Sequence, residues 1–202
     1  MKFRIHRVFT GLMGSNAYFL SDEEGRACVI DPGMGNAAAD YAQKNGLKIE
    51  LVLLTHGHFD HIGACAALQR AGAKVGVCEK DADKLYTENN LGGQFGIFVE
   101  PLHADFAFRD GEEIGFHGLK FTVLETPGHS AGSVCFLTEL GIFSGDTLFC
   151  GGVGRSDFYD GSEEQLAASL QKLLAAEKDA PVFPGHGEET TLAKERAYNP
   201  YL

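Results

Sequence analysis

Within six residues, the run Thr55-His56-Gly57-His58-Phe59-Asp60-His61 gathers four side chains able to bind a metal ion, at the spacing H-x-H-x-D-H. In an extended segment His56 and His58 point the same way, at a period of two, and can reach one ion. Asp60 and His61, where the chain turns into a helix, can address a second. Neutral imidazole and carboxylate are ligands that zinc, iron or manganese accept, at about 2.0–2.2 Å for zinc. The plainer alternative is a polar loop whose histidines cap the following helix. Four such residues clustered at the end of an apolar strand favour a site instead.

Three more candidates share that setting at the end of an apolar strand. His129 lies in Thr126-Pro127-Gly128-His129-Ser130, Asp146 in Ser144-Gly145-Asp146-Thr147, and His186 in Pro184-Gly185-His186-Gly187. Each alone reads as an ordinary strand-end residue. Together they supply the donors that two ions lack. Two ions about 3.5–4 Å apart need a bridging group, and an anionic Asp146 suits that role.

The elements that must position these residues are short. Strands are expected at 3–9, 17–20 and 27–30, then a helix at 36–45 with Asn36 as N-cap and Gly46 as stop. The apolar run 49–54 reads as a strand buried on both faces. A helix is expected at 61–71, ending at Gly72, then a strand at 74–78 and a short helix at 81–87. The stretch 89–102, rich in Gly and Phe, has no clear period and reads as irregular cover over a pocket. Strands resume at 104–108, 119–125, 133–138 and 141–144. A long amphipathic helix at 162–176 starts with Ser162 and Gln165 as a capping box, and a last strand at 181–183 leads into the loop of His186. Two clusters of strands with helices between and after them suit an α+β arrangement of two sheets under outer helices.

The length, 202 residues, fits one domain spanning 1–202, and 44% hydrophobic with 22% charged residues fits a soluble globular protein. A net charge of −11 argues against nucleic acid as a partner. No apolar run approaches the ~18 residues of a membrane span, and no signal-peptide core follows the charged N-terminus, so no membrane association is expected. The five cysteines are odd in number and lack C-x-x-C spacing, which points to a reducing cytoplasm rather than a disulfide framework. His6, His103 and His117 fall outside the ligand pattern and read as surface residues. Cys150 reads as a small buried hydrophobe. Phe95, Phe98, Phe158 and Tyr159 are core aromatics or an apolar wall over the metals.

The ordered set Ile30-Asp31-Pro32-Gly33, H-x-H-x-D-H, Thr126-Pro127-Gly128-His129-Ser130, Ser144-Gly145-Asp146-Thr147-Leu148-Phe149 and Pro184-Gly185-His186-Gly187 runs nearly end to end. In it the chain resembles the metallo-β-lactamase superfamily, specifically its short, single-domain glyoxalase II-like (hydroxyacylglutathione hydrolase-like) branch. The resemblance implies an αββα four-layer sandwich with two mixed sheets and a site at the strand ends. It implies His56, His58 and His129 for one metal, Asp60, His61 and His186 for the other, and Asp146 as bridge. Asp31 would anchor the ligand loop without binding metal. True β-lactamases commonly place a cysteine at the position of Asp146, and flavodiiron proteins a glutamate at that of His58. Full glyoxalase II enzymes add a helical domain with basic residues for glutathione, whereas this chain stops at Leu202, so that clamp is expected to be largely missing. Arg155 occupies roughly the place of a basic residue beside the thiol half of the substrate; otherwise it is a structural ion pair with Asp157 or Asp160.

The expected activity is hydrolysis of a small-molecule thioester, such as an S-acyl-glutathione, by a hydroxide bridging two divalent ions, with zinc expected and iron or manganese as alternatives. Asp60 and Asp146 are the expected catalytic residues. The competing readings are a persulfide dioxygenase with one iron on His56, His129 and Asp146, a lactone or other ester hydrolase, and a metal-binding protein without activity.

Overall fold

The computed structural model describes residues 2–177 and 179–202. The first sheet takes its strands in sequence order: β1 (Arg4–Thr10), β2 (Ser15–Ser21), β3 (Arg26–Ile30), β4 (Lys48–Leu53), β5 (Lys74–Cys78) and β6 (Phe106–Phe108). β1 to β3 pair antiparallel, and β3 to β6 pair parallel. The parallel half needs crossovers: α1 (Ala37–Lys44) joins β3 to β4, α2 (Phe59–Ile62) and α3 (Cys65–Arg70) join β4 to β5, and a run of 3₁₀ turns joins β5 to β6.

The second sheet has the order β14-β13-β10-β9-β8-β7, built from β7 (Glu113–Phe116), β8 (Leu119–Glu125), β9 (Val134–Thr138), β10 (Gly141–Gly145), β13 (Pro181–Pro184) and β14 (Thr190–Thr191). β13 runs parallel to β10, and the other pairs are antiparallel. A small hairpin, β11 (Leu148–Phe149) with β12 (Gly152–Val153), leaves the end of β10. The helices α4 (Glu163–Ala176) and α5 (Leu192–Tyr198) complete the chain.

Side-chain alternation explains the layers. In β3 and β4, Cys28, Ile30, Leu51 and Leu53 face inward and meet Phe121, Phe136, Phe143 and Phe183 of the second sheet. Their neighbours Ala27 and Val29 face α1, and Val52 and Leu54 face α2 and α3. On the far side, Leu166, Leu170 and Leu173 of α4 pack with Cys135, Ile142 and Val182. Two mixed sheets lie face to face with helices outside each, the expected α+β sandwich.

Several elements depart from the sequence expectation. The helix expected at 61–71 is broken at Gly63 and Ala64, because Gly33 inserts its backbone there, donating to His61 O at 2.9 Å and accepting from Ala64 N at 2.7 Å. The helix expected at 81–87 is a 3₁₀ turn over Glu79–Leu85. The strand expected at 104–108 pairs only over Phe106–Phe108. β7, the β11–β12 hairpin, β14 and α5 carried no signal strong enough to be expected. Ser162 does cap α4, accepting from Gln165 N at 3.3 Å, whereas Asn36 makes no side-chain cap bond.

Candidate metal centre

The ends of β4, β10 and β13 and the turn after β8 converge between the two sheets. They bring six of the seven candidate ligands together in two groups, with Asp146 between them. His56, His58 and His129 form one, and Asp60, His61 and His186 the other. Asp31 stands close enough to His56 and His61 to form a third. Within the first, His58 Nδ1 and His129 Nε2 are 2.8 Å apart. Within the second, His61 Nε2 lies 3.3 Å from His186 Nε2, and Asp60 Oδ2 lies 3.2 Å from the latter. Asp146 reaches across, with Oδ1 3.5 Å from His61 Nε2 and Oδ2 3.5 Å from His129 Nε2. The approach is close enough that a Cβ on Gly185 would meet Asp146 Oδ1 at 2.2 Å.

The surroundings fix which ring nitrogen of three of the histidines faces inward. His129 donates from Nδ1 to Arg155 O at 2.7 Å. His61 donates from Nδ1 to Asp31 Oδ2 at 3.0 Å. His56 Nδ1 lies 3.1 Å from the Thr55 hydroxyl, which itself donates to Asp31 Oδ2 at 2.6 Å. In these three rings Nδ1 is engaged outward and Nε2 turns into the site, whereas His58 turns Nδ1 toward His129. Asp31 also accepts from Thr55 N at 2.8 Å, and its φ of +50° is a left-handed conformation that Asp tolerates. Ser15 donates its hydroxyl to Asp60 Oδ2 at 2.9 Å.

This donor set fits divalent metal. His56 Nε2 and Asp146 Oδ1 are buried without a protein partner, a costly state unless a cation completes them. The charge balance agrees. Burial and then the neighbouring histidines push His56 well below its ordinary range, and His58 is likewise lowered by burial and by His129. Both stay neutral and able to coordinate. Burial opposes a charge on His61, but Asp60, Asp146 and Asp31 outweigh it and raise its value to about 10. Burial likewise opposes the Asp60 carboxylate, and His61 and His186 overcome it, holding Asp60 below the usual carboxylate range. Among the described residues the ion-pair partners of Asp60 and Asp146 are imidazoles, a setting that favours added positive charge.

The site floors a cleft of about 230 Å³, walled by Met13, Phe95, Phe149, Val153 and Phe158, with Arg155 on its rim. Phe158 packs edge-on to His58 and His129, at 5.1 and 5.4 Å between ring centroids. Two of the four expected wall aromatics are therefore elsewhere. Phe98 lines a separate groove over residues 85–101, and Tyr159 lies over Lys84. Arg155 lines the cleft, and its guanidinium grips Asp157 through two 2.8 Å bonds, the structural ion pair expected. Asp160 instead pairs with Lys84. Cys150 is not the buried hydrophobe expected, being half-buried with Sγ 3.5 Å from Lys194 Nζ. His6, His103 and His117 lie outside the cluster, and His6 stacks on Tyr41.

Known proteins resemble this chain over nearly its whole length. The chain is 36% identical over 196 residues to a hydroxyacylglutathione hydrolase, GloC, of Haemophilus influenzae, covering 93% of this chain and 92% of that one. It superposes on the crystal structure of the BLEG-1 B3 metallo-beta-lactamase with a TM-score of 0.93 at 32% identity, covering 98% and 99% of the two chains. With TTHA1623 in a di-iron-bound form the TM-score is 0.88 at 36% identity, covering 98% and 100%. The family model of the metallo-beta-lactamase superfamily matches residues 10–186. This chain belongs to that superfamily of metal-dependent enzymes.

Proposed function

We propose that the protein is a thioester hydrolase that uses two divalent ions, zinc in the first instance. His56, His58 and His129 hold the first ion, Asp60, His61 and His186 the second, and Asp146 reaches both. The observation that carries this reading is the pair of donor groups sharing Asp146 on the floor of an apolar cleft. The likeness to a hydroxyacylglutathione hydrolase supports the thioester. Five free cysteines support action in a reducing cytoplasm.

When bound, the ions supply Lewis acidity and lower the pKa of water from 15.7 to about 7. The chain's own residues do the rest. Arg155 O and Asp31 hold His129 and His61 in the orientation described above. Ser15 holds the Asp60 carboxylate, which would orient a metal-activated water. The apolar wall of Phe95, Phe149 and Phe158 holds the acyl group and restricts bulk water. A thiolate leaves without needing a proton, so no general acid is required.

The test is metal content of protein purified without added metal, with rates on a thioester, a lactone, a β-lactam and, with oxygen uptake followed, a persulfide. Two ions and fastest turnover of the thioester support the proposal. A preference for the β-lactam or lactone, or one ion with oxygen uptake, overturns it.

A further inference from the structure

Behind the histidines lies an ion pair that the metal groups do not include. Asp81 is fully buried and Lys84 is 1% exposed, both in the 3₁₀ turn Glu79–Leu85. The Asp81 carboxylate collects four donors. At Oδ2 it accepts from Gly57 N at 2.8 Å and from the Ser130 hydroxyl at 2.7 Å. At Oδ1 it accepts from Gly132 N and from Lys84 Nζ, both at 2.8 Å. Gly57 stands between His56 and His58, and Ser130 directly follows His129.

Lys84 extends the network. Its ammonium donates to Asp160 Oδ2 at 2.6 Å, and the same oxygen accepts from Ala131 N at 3.0 Å. Asp160 lies two residues beyond Phe158, the ring that packs on His58 and His129. The packing is tight: a Cβ on Gly132 would stand 2.6 Å from Asp81 Oδ1, and one on Gly57 2.6 Å from Lys84 Cβ.

Stability alone is a poor reason for this arrangement. Burying charged groups costs several kcal/mol per ion, and apolar residues of similar volume often do as well or better. A carboxylate does something leucine cannot: it gathers N–H and O–H donors from two separate loops onto one point. Those loops carry the histidines whose nitrogens stand 2.8 Å apart.

We propose that Asp81, neutralised by Lys84, is a positioning residue for the first ion. By tying Gly57 to Ser130 and Gly132 it fixes the separation of His58 and His129, and so sets the metal affinity of the His56–His58–His129 group. Asp31 and Ser15 contact the Asp60–His61–His186 group, and none of the four donors to Asp81 belongs to it. This inference rests on the metal reading of the first group.

Zinc withdrawal from the loaded protein by a competing chromophoric chelator tests it. The variants are Asp81→Asn, Ser130→Ala and Asp160→Asn, each also in a His61→Ala background where only the first group remains. Asp81→Asn turns an amide N–H₂ against two donors, and the first-group affinity should fall about 10–100-fold, the range for residues that orient metal ligands. The second-group affinity should stay unchanged. Ser130→Ala, which removes a single donor, should weaken the same ion by a smaller factor and serves if Asp81→Asn does not fold. Asp160→Asn leaves all four donors to Asp81 and should change zinc affinity least. Equal weakening of both ions, or a lower melting temperature with unaltered zinc affinity, overturns the proposal. No zinc on the His61→Ala protein overturns the metal reading of the first group itself, and with it this role.

Discussion

Asp31 holds both ends of the ligand run: its Oδ1 takes the Thr55 amide at 2.8 Å, and its Oδ2 meets His61 Nδ1 at 3.0 Å. The start and the finish of H-x-H-x-D-H are therefore tied to one carboxylate. Removing His61 breaks the second donor group and leaves His56, His58 and His129 in place. His61→Ala is expected to bind one ion per chain where the parent binds two, read by elemental analysis of metal-replete protein. Two ions in the variant would show that His61 is not a ligand.

Asp146 is the residue whose loss should cost most. It approaches His61 and His129 alike, so its charge serves both groups. Asp146→Asn keeps the shape and removes that charge, leaving two nearby cations with less compensation. Thioesterase activity is expected to fall at least about 100-fold, with circular dichroism unchanged. Near-normal turnover with two ions bound would show that Asp146 only shapes its turn.

The cleft rim sets the response to anionic substrates. Among the described residues lining the cleft, Arg155 is the one Lys or Arg, and Asp157 neutralises it. Glutathione, carrying carboxylates, is expected to inhibit only weakly. Asp157→Asn frees the guanidinium. An exposed pair of this kind is weak, so KM for an anionic thioester should fall modestly, with less gain at high salt. Saturable inhibition of the parent at low micromolar glutathione would contradict this.

Acid stability should depend on Asp105. Burial opposes its charge, but bonds from Gln69, Lys74 and the Val75 amide overcome it and bring its value down to about 2. A carboxylate lowered by folding contributes stability above its ordinary value near 4, and that contribution is lost as pH falls toward 2. Solvent screening of this exposed group cuts the full linkage, so Asp105→Asn should lower the melting temperature at pH 7 by at most about 2–4 °C, on the order of 1 kcal/mol or less. The difference between the two proteins should vanish near pH 2. A constant difference from pH 7 to pH 2 would rule out the linkage.

What the sequence discloses follows from how local each signal is. The ligand run is legible because its four donors are consecutive and end an apolar strand, and His129, Asp146 and His186 because glycines and strands frame them. Alternation in β3 and β4 is equally local. Asp81 left no trace, since its partners Gly57, Ser130 and Gly132 come from loops 24, 49 and 51 residues away. The break at Gly63 was hidden for the same reason, being caused by Gly33 docking from another loop. Cys150 is half-buried, and its neighbour Lys194 comes from α5, 44 residues away and without a strong periodic signal.

The two sheets draw on separate halves of the chain, residues 4–108 and 113–191. Most pairing is thus settled within each half, and what remains is for the halves to dock through the aromatic layer between them. His56, His58, Asp60 and His61 come from the first half, and His129, Asp146 and His186 from the second. A metal-binding pocket of this kind is completed only when docking is complete, so refolding kinetics should separate into early, metal-indifferent assembly of each half and a late step that divalent ions pull forward. Ions bound there act as rivets across the seam, and chelation should ease the halves apart before either one melts.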